Sequence, residues 1–101
     1  MDDTEIQASL DALSGLQPAP DVLSRRVGDE SALVDLSTNR IFSLNPTGAR
    51  LWELLQEGLE PAEAFVKMRA EFDVADRELS AEITSFCALL ERERLVSRTG
   101  E

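Results

Sequence analysis

The sequence predicts an α+β domain in which a three-stranded antiparallel sheet is followed by three helices. Two observations carry that prediction. Between residues 21 and 44 apolar and polar residues alternate, the period of a half-buried strand. From Asn45 onward apolar residues recur every three or four positions, the period of an amphipathic helix. The change of regime is sharp, because Asn45 is a favoured N-cap and Pro46 a favoured first helical residue. A length of 101 residues suits one domain with one core, and 43% hydrophobic with 30% charged residues is ordinary for a globular chain.

The first twenty residues stand apart. They hold Asp2, Asp3, Glu5 and Asp11 and no basic residue. Ile6, Leu10, Leu13 and Leu16 recur at helical steps, and Gln17-Pro18-Ala19-Pro20 then reads as an extended linker. A lone helix of this length is marginal in water, so residues 1–20 read as an acidic tail and linker ahead of a domain over 21–101. The alternative is an amphipathic arm that docks on a groove of its own or a neighbouring domain.

Three strands follow. Val22 to Val27 is the first, Gly28-Asp29-Glu30 the turn, and Ala32-Leu33-Val34-Asp35-Leu36 the second. Ser37-Thr38-Asn39 turns the chain again, with Asn39 suited to a left-handed backbone. Arg40 to Leu44 is the third strand, with Phe42 and Leu44 on one face. Short connections imply an antiparallel meander in which the third strand has a single partner.

Three helices complete the pattern. The first carries Ala49, Leu51, Trp52, Leu54 and Leu55 inward and ends at Gly58. Gly48 in its first turn costs up to about 1 kcal/mol relative to Ala, which suggests close approach by a neighbour. The second runs from Glu60-Pro61 to about Phe72, with Ala62, Phe65, Val66 and Met68 inward. The third runs from Asp76 to about Glu93, with Leu79, Ile83, Phe86 and Leu90 as its core face. Leu95-Val96 reads as a short strand or packed coil.

Composition narrows the function. Twenty acidic residues against ten basic ones give a formal charge of −10, which disfavours binding to nucleic-acid phosphates. With no His, no Tyr and one Cys, the chain alone cannot assemble a thiolate–imidazole metal site or a His-based nucleophile system. No cofactor and no catalytic step are therefore expected. Cys87 reads as a small buried hydrophobe rather than a reactive thiol. No apolar run approaches the roughly 20 residues that span a bilayer, and the acidic start is unlike a secretory signal. A cytoplasmic binding module with no membrane partner is the expectation.

The order Leu33-Val34-Asp35-Leu36, Arg40-Ile41-Phe42, Leu44-Asn45, Gly48-Ala49 and Trp52-Glu53-Leu54-Leu55 resembles the PqqD family of pyrroloquinoline quinone biosynthesis. Glu71-Phe72-Asp73-Val74, Glu82, Phe86 through Leu90 and Leu95-Val96 continue the match, which covers most of the chain. The resemblance implies a winged-helix-like fold. It also implies a role: binding the leader segment of a ribosomally made precursor peptide and presenting it to a modifying enzyme. That enzyme would be a radical S-adenosylmethionine protein, a leader peptidase or another tailoring enzyme. Three features depart from the family pattern: Asn39 and Glu93-Arg94 stand where Gly is common, and the segment before residue 21 is long.

The residues support peptide binding on separate grounds. A third strand paired on one side leaves open backbone donors and acceptors, where an extended peptide can add as a further strand. Ile41, Phe42 and Ser43 would form the strand side of the groove. A stripe of small or polar residues on the third helix would form the other wall: Thr84, Cys87, Ala88 and Glu91, with Ser80 ahead of them. The plain alternative for that stripe is a solvated face. Arg25, Arg26, Arg40 and Arg50 could steer acidic peptide residues, or be ordinary surface charge. Two rival functions use the same fold, a scaffold subunit that ignores the peptide and a transcription regulator. A DNA-reading third helix would carry a basic excess, whereas this one holds Asp76, Glu78, Glu82, Glu91 and Glu93 against Arg77, Arg92 and Arg94. A homodimer is compatible with the sequence.

Overall fold

The computed structural model describes residues 3–28 and 30–98. Its elements run α1 (Asp3–Leu13), β1 (Leu16–Pro18), β2 (Val22–Val27), β3 (Glu30–Asp35), β4 (Arg40–Leu44), α2 (Pro46–Glu57), α3 (Pro61–Glu71), α4 (Asp76–Arg92) and β5 (Val96–Arg98). The turn expected at Gly28-Asp29-Glu30 falls on Asp29, which lies outside the described residues.

The expected meander is present, with strand order β2-β3-β4 and both pairings antiparallel. Register sets Leu33 opposite Phe42 on the face turned to the core. It sets Leu23, Val34 and Ile41 in line on the opposite face. Between β3 and β4, the Asp35 carboxylate accepts from the Ser37 amide and hydroxyl, at 3.0 and 2.7 Å. Asn39 then takes the left-handed conformation at φ 60° that its short polar side chain tolerates.

The helices close over the inner face. Leu33, Leu51, Trp52, Leu54, Met68, Leu79, Ile83 and Leu90 are fully buried, each worth roughly 1.5–3 kcal/mol of transfer free energy. α2 starts as its sequence demands: Asn45 is extended, its side chain accepts from the Gly48 amide at 2.7 Å, and Pro46 follows. α3 needs one correction. Ala64, Phe65 and Met68 form its buried face, while Val66 is 55% exposed and Ala62 is also exposed. Val66 sits one position beyond Phe65, about 100° further round the helix, and so turns out to solvent.

α2 and α4 end in the same device. After α2, the Gly58 amide donates to the Leu55 carbonyl and the Leu59 amide to the Leu54 carbonyl, with Gly58 at φ 75°. After α4, the Arg94 amide donates to Glu91 and the Leu95 amide to Leu90, with Arg94 at φ 59°. Both are Schellman endings, which close orphan carbonyls through one left-handed residue. Only the first uses glycine.

The N-terminal segment is not a tail. α1 packs along α4, Leu13 and Leu16 belong to the core, and Ser9 is fully buried with its hydroxyl donating to the Ile6 carbonyl at 2.7 Å. The proline-containing linker is extended, but it is paired. β1 runs antiparallel to β5, with Pro18 opposite Val96, and the Ala19 amide donates to the Leu95 carbonyl at 2.9 Å. A proline is tolerated there because the two-stranded ribbon has only edge strands. Among the described residues no helix is long and apolar enough to cross a membrane.

Candidate functional site: the β4 edge and the flank of α4

Among the described residues β4 has β3 on one side only, so its outer edge presents backbone groups that no strand pairs. Two contacts bring α4 alongside the strand. At the start of β4, the Arg40 guanidinium pairs with the Glu93 carboxylate just past the end of α4. Beyond the end of β4, Gly48 lies against the Phe86 ring. A Cβ at Gly48 would come within 3.2 Å of both the Asn45 side-chain oxygen and the ring of Phe86. This is the close approach that a glycine in the first helical turn implied. As the chain ascends from Arg40 to Gly48, its partners descend from Glu93 to Phe86, so α4 runs antiparallel to β4.

Half-buried apolar side chains lie on both elements, Phe42 on the inner face of β4 and Phe86 and Leu89 on α4. The Arg40 guanidinium lies 4.7 Å from the centre of the Phe42 ring, a cation–π contact that holds both at the mouth. At the far end a hollow of about 370 Å³ opens between the start of α2 and α4, with Thr47, Gly48, Leu51, Ile83 and Phe86 in its walls. Glu93 is held below the ordinary carboxylate range, chiefly because it accepts from Arg40.

The residues expected to form the site are not all here. On the strand side, Phe42 faces the core, while Ile41 is 70% exposed and Ser43 exposed on the opposite face of the sheet. Their contribution at the edge is through backbone. On the helix side the structure places the expected residues on other parts of α4. Thr84 borders a second hollow, between α4 and α1, together with Glu5, Ala8 and Ser80. Cys87 is fully buried, and burial pushes its thiol up to about 12, so it presents neither surface nor thiolate. Glu91 pairs with Arg98 of β5 at 2.9 Å, and Arg98 also donates to the Asp11, Ala12 and Ser14 carbonyls at the end of α1. Ala88 is exposed. The stripe through Ser80, Thr84, Cys87 and Glu91 is therefore the seat of α1.

The flank turned to β4 and the start of α2 carries Phe86, Leu89 and Glu93. Sequence reasoning assigned Phe86 to the core and passed over Leu89 and Glu93. Their steps of three and four mark one helical face, and that was the available signal. Of the four arginines near the sheet, Arg40 is engaged with Glu93, and Arg50 with Glu53 and Glu71. Arg25 and Arg26 make no ion pair among the described residues.

Comparison with known proteins bears on this geometry. No curated protein matches the chain. The structure is similar to TbiB1 in complex with the TbiA(beta) leader peptide, with 28% identity and a TM-score of 0.72, over 84% of this chain and 99% of that one. It is also similar to lasso peptide synthetase B1 complexed with the leader peptide, with 18% identity and a TM-score of 0.73, over 83% of this chain and 99% of that one. The second likeness is one of fold. Residues 30–96 match the family described as Coenzyme PQQ synthesis protein D, a span that runs from β3 to the start of β5 and takes in both walls of the groove. The chain belongs to the PqqD family.

Proposed function

We propose that this protein is a peptide-binding adaptor. It takes up the leader segment of a ribosomally synthesised precursor as an added strand on β4 and presents the peptide to a modifying enzyme. One observation carries the reading: the open edge of β4 runs beside a flank of α4 whose apolar side chains are only half-buried. An extended peptide satisfies both surfaces. Its backbone completes the edge, and every second side chain enters the trough between Phe42, Phe86 and Leu89. TbiB1, solved with a leader peptide, supports the reading by likeness. No catalytic step is assigned to this chain. The enzyme served is one that acts on precursor peptides, such as a radical S-adenosylmethionine protein or a leader peptidase.

The test is fluorescence anisotropy with labelled leader peptides from precursor genes beside this one. Micromolar or tighter binding is expected. Two variants locate it. Backbone amides along β4 alternate between β3 and the open edge, so Ile41 and Phe42 point theirs in opposite directions. Of Ile41→Pro and Phe42→Pro, the one that removes an edge amide should lose peptide binding and remain folded. The other should lose stability. Unchanged affinity in both folded variants would overturn strand addition at β4.

A further inference from the structure

Leu23, Leu36 and Ile41 are three of the four large apolar side chains left exposed among the described residues, at 42%, 56% and 70%. They are gathered in one place. Leu23 pairs with Val34 and Val34 with Ile41, so the three form a row across all strands of the sheet, on the side away from Leu33 and Phe42. Leu36 follows Val34 by two positions and comes up on the same side, its amide held by the Asp21 carbonyl at 2.9 Å. A single exposed leucine needs no explanation, but a contiguous set of cross-strand neighbours marks a surface that something covers.

Charge says what kind of body covers it. The chain carries −10 overall, yet the charged residues that β2 to β4 present on this side are Arg25 and Glu30, which cancel. Arg25 has no carboxylate partner among the described residues. A second copy would bring another −10 against the first, and mutual repulsion disfavours that pairing. A different protein with an apolar patch and a flanking carboxylate for Arg25 fits better.

We propose that this outer face docks the enzyme that acts on the presented peptide. The proposal rests on the strand-addition reading and extends it. Ile41 belongs both to the row and to the strand that receives the peptide. A strand added to β4 would lift alternate side chains onto the outer face and lengthen the row. The enzyme then meets adaptor and peptide as one surface, and the loaded adaptor binds it more tightly than the empty one.

The test uses Leu23→Glu and Arg25→Glu in the full chain, with folding followed by circular dichroism. Leu23→Ser replaces Leu23→Glu if the charged variant does not fold. Both positions lie on β2, two strands from the peptide edge. Peptide affinity is read by anisotropy, and affinity for the purified peptide-modifying enzyme encoded beside this gene by interferometry, with and without saturating peptide. Both variants should keep the peptide dissociation constant within twofold and weaken enzyme binding at least tenfold, and peptide should tighten enzyme binding to the wild type. Enzyme binding that is unchanged in both folded variants overturns the proposal. So does a wild-type dimer in sedimentation that Leu23→Glu splits, which would give the face to a second copy. If the enzyme binding of the wild type falls in the variants but no leader peptide binds, the docking face stands and strand addition fails.

Discussion

Along α4, Ser80, Cys87 and Glu91 meet α1 and β5, whereas Phe86, Leu89 and Glu93 look toward β4. The first flank is sealed by the chain's own N-terminal helix and locked by Arg98, whose guanidinium reaches two carbonyls of α1, that of Ser14 just beyond it and the Glu91 carboxylate. The second meets its neighbours at Arg40–Glu93 and Gly48–Phe86, and carries the half-buried Phe86 and Leu89. One flank of the helix is thus closed by the chain itself, and the other is the one on which the proposed peptide would sit. In that reading α1 acts as a buttress that backs the proposed groove and leaves it open.

Substitutions on the two flanks should separate stability from binding. Leu13→Ala, at the end of α1, should have the largest effect on stability, about 2–5 kcal/mol. That corresponds to a fall in thermal midpoint of roughly 10 °C or more. Peptide affinity, measured below the midpoint, should be unchanged. A midpoint within 2–3 °C of wild type would show that α1 is no buttress. Gly48→Leu, on the open flank, forces the Phe86 ring to move and should cost about 1–3 kcal/mol. Its main readout is peptide affinity, expected to drop at least tenfold, and an unchanged value in the folded variant would remove Phe86 from the groove wall.

Smaller effects sharpen the contrast. Arg98→Ala leaves the carbonyls at the end of α1 without their cation and should cost about 1–2 kcal/mol in urea unfolding. Arg94→Gly should stabilise by about 0.5–1 kcal/mol, because it relieves a left-handed non-glycine residue at φ 59°. The smallest effect is in pH. Glu93 is held below its ordinary value of 4.5 by Arg40, so the folded state binds that proton less readily than the unfolded chain. Its contribution is complete above that value and is lost as pH falls below it. Glu93→Gln should flatten that part of the acid-unfolding curve, and an identical curve would show that the pair adds nothing.

The legibility of these regions in sequence differed for physical reasons. Cap chemistry is local, so Asn45-Pro46 marked the start of α2 without knowledge of the fold. Strand alternation and short turns specify a meander by themselves, and the open edge of β4 follows from it. The partner of an amphipathic segment is not local information. Ile6, Leu10 and Leu13 announce a helix, but its seat is a stripe some seventy residues on that reads equally as a solvated surface. α4 carries three working faces, one to the core, one to α1 and one to β4, and apolar periodicity reveals only the first. The small residues Ser80 and Thr84 lie where α4 meets α1, a placement that their size alone does not announce. β1 and β5 are three residues each, one with a proline, and leave no alternation to read.

The pairing of Leu16 with Arg98 has a consequence for how the molecule comes together. It closes a loop of about eighty residues for a ribbon of three residues on each side. Such a ring demands much configurational entropy in return for few bonds, so it forms after the meander and the helices have shortened the path. The same asymmetry holds in reverse. The Ala19 amide, bonded to the Leu95 carbonyl across this seam, should exchange its hydrogen far sooner than the amides of α2 around Trp52.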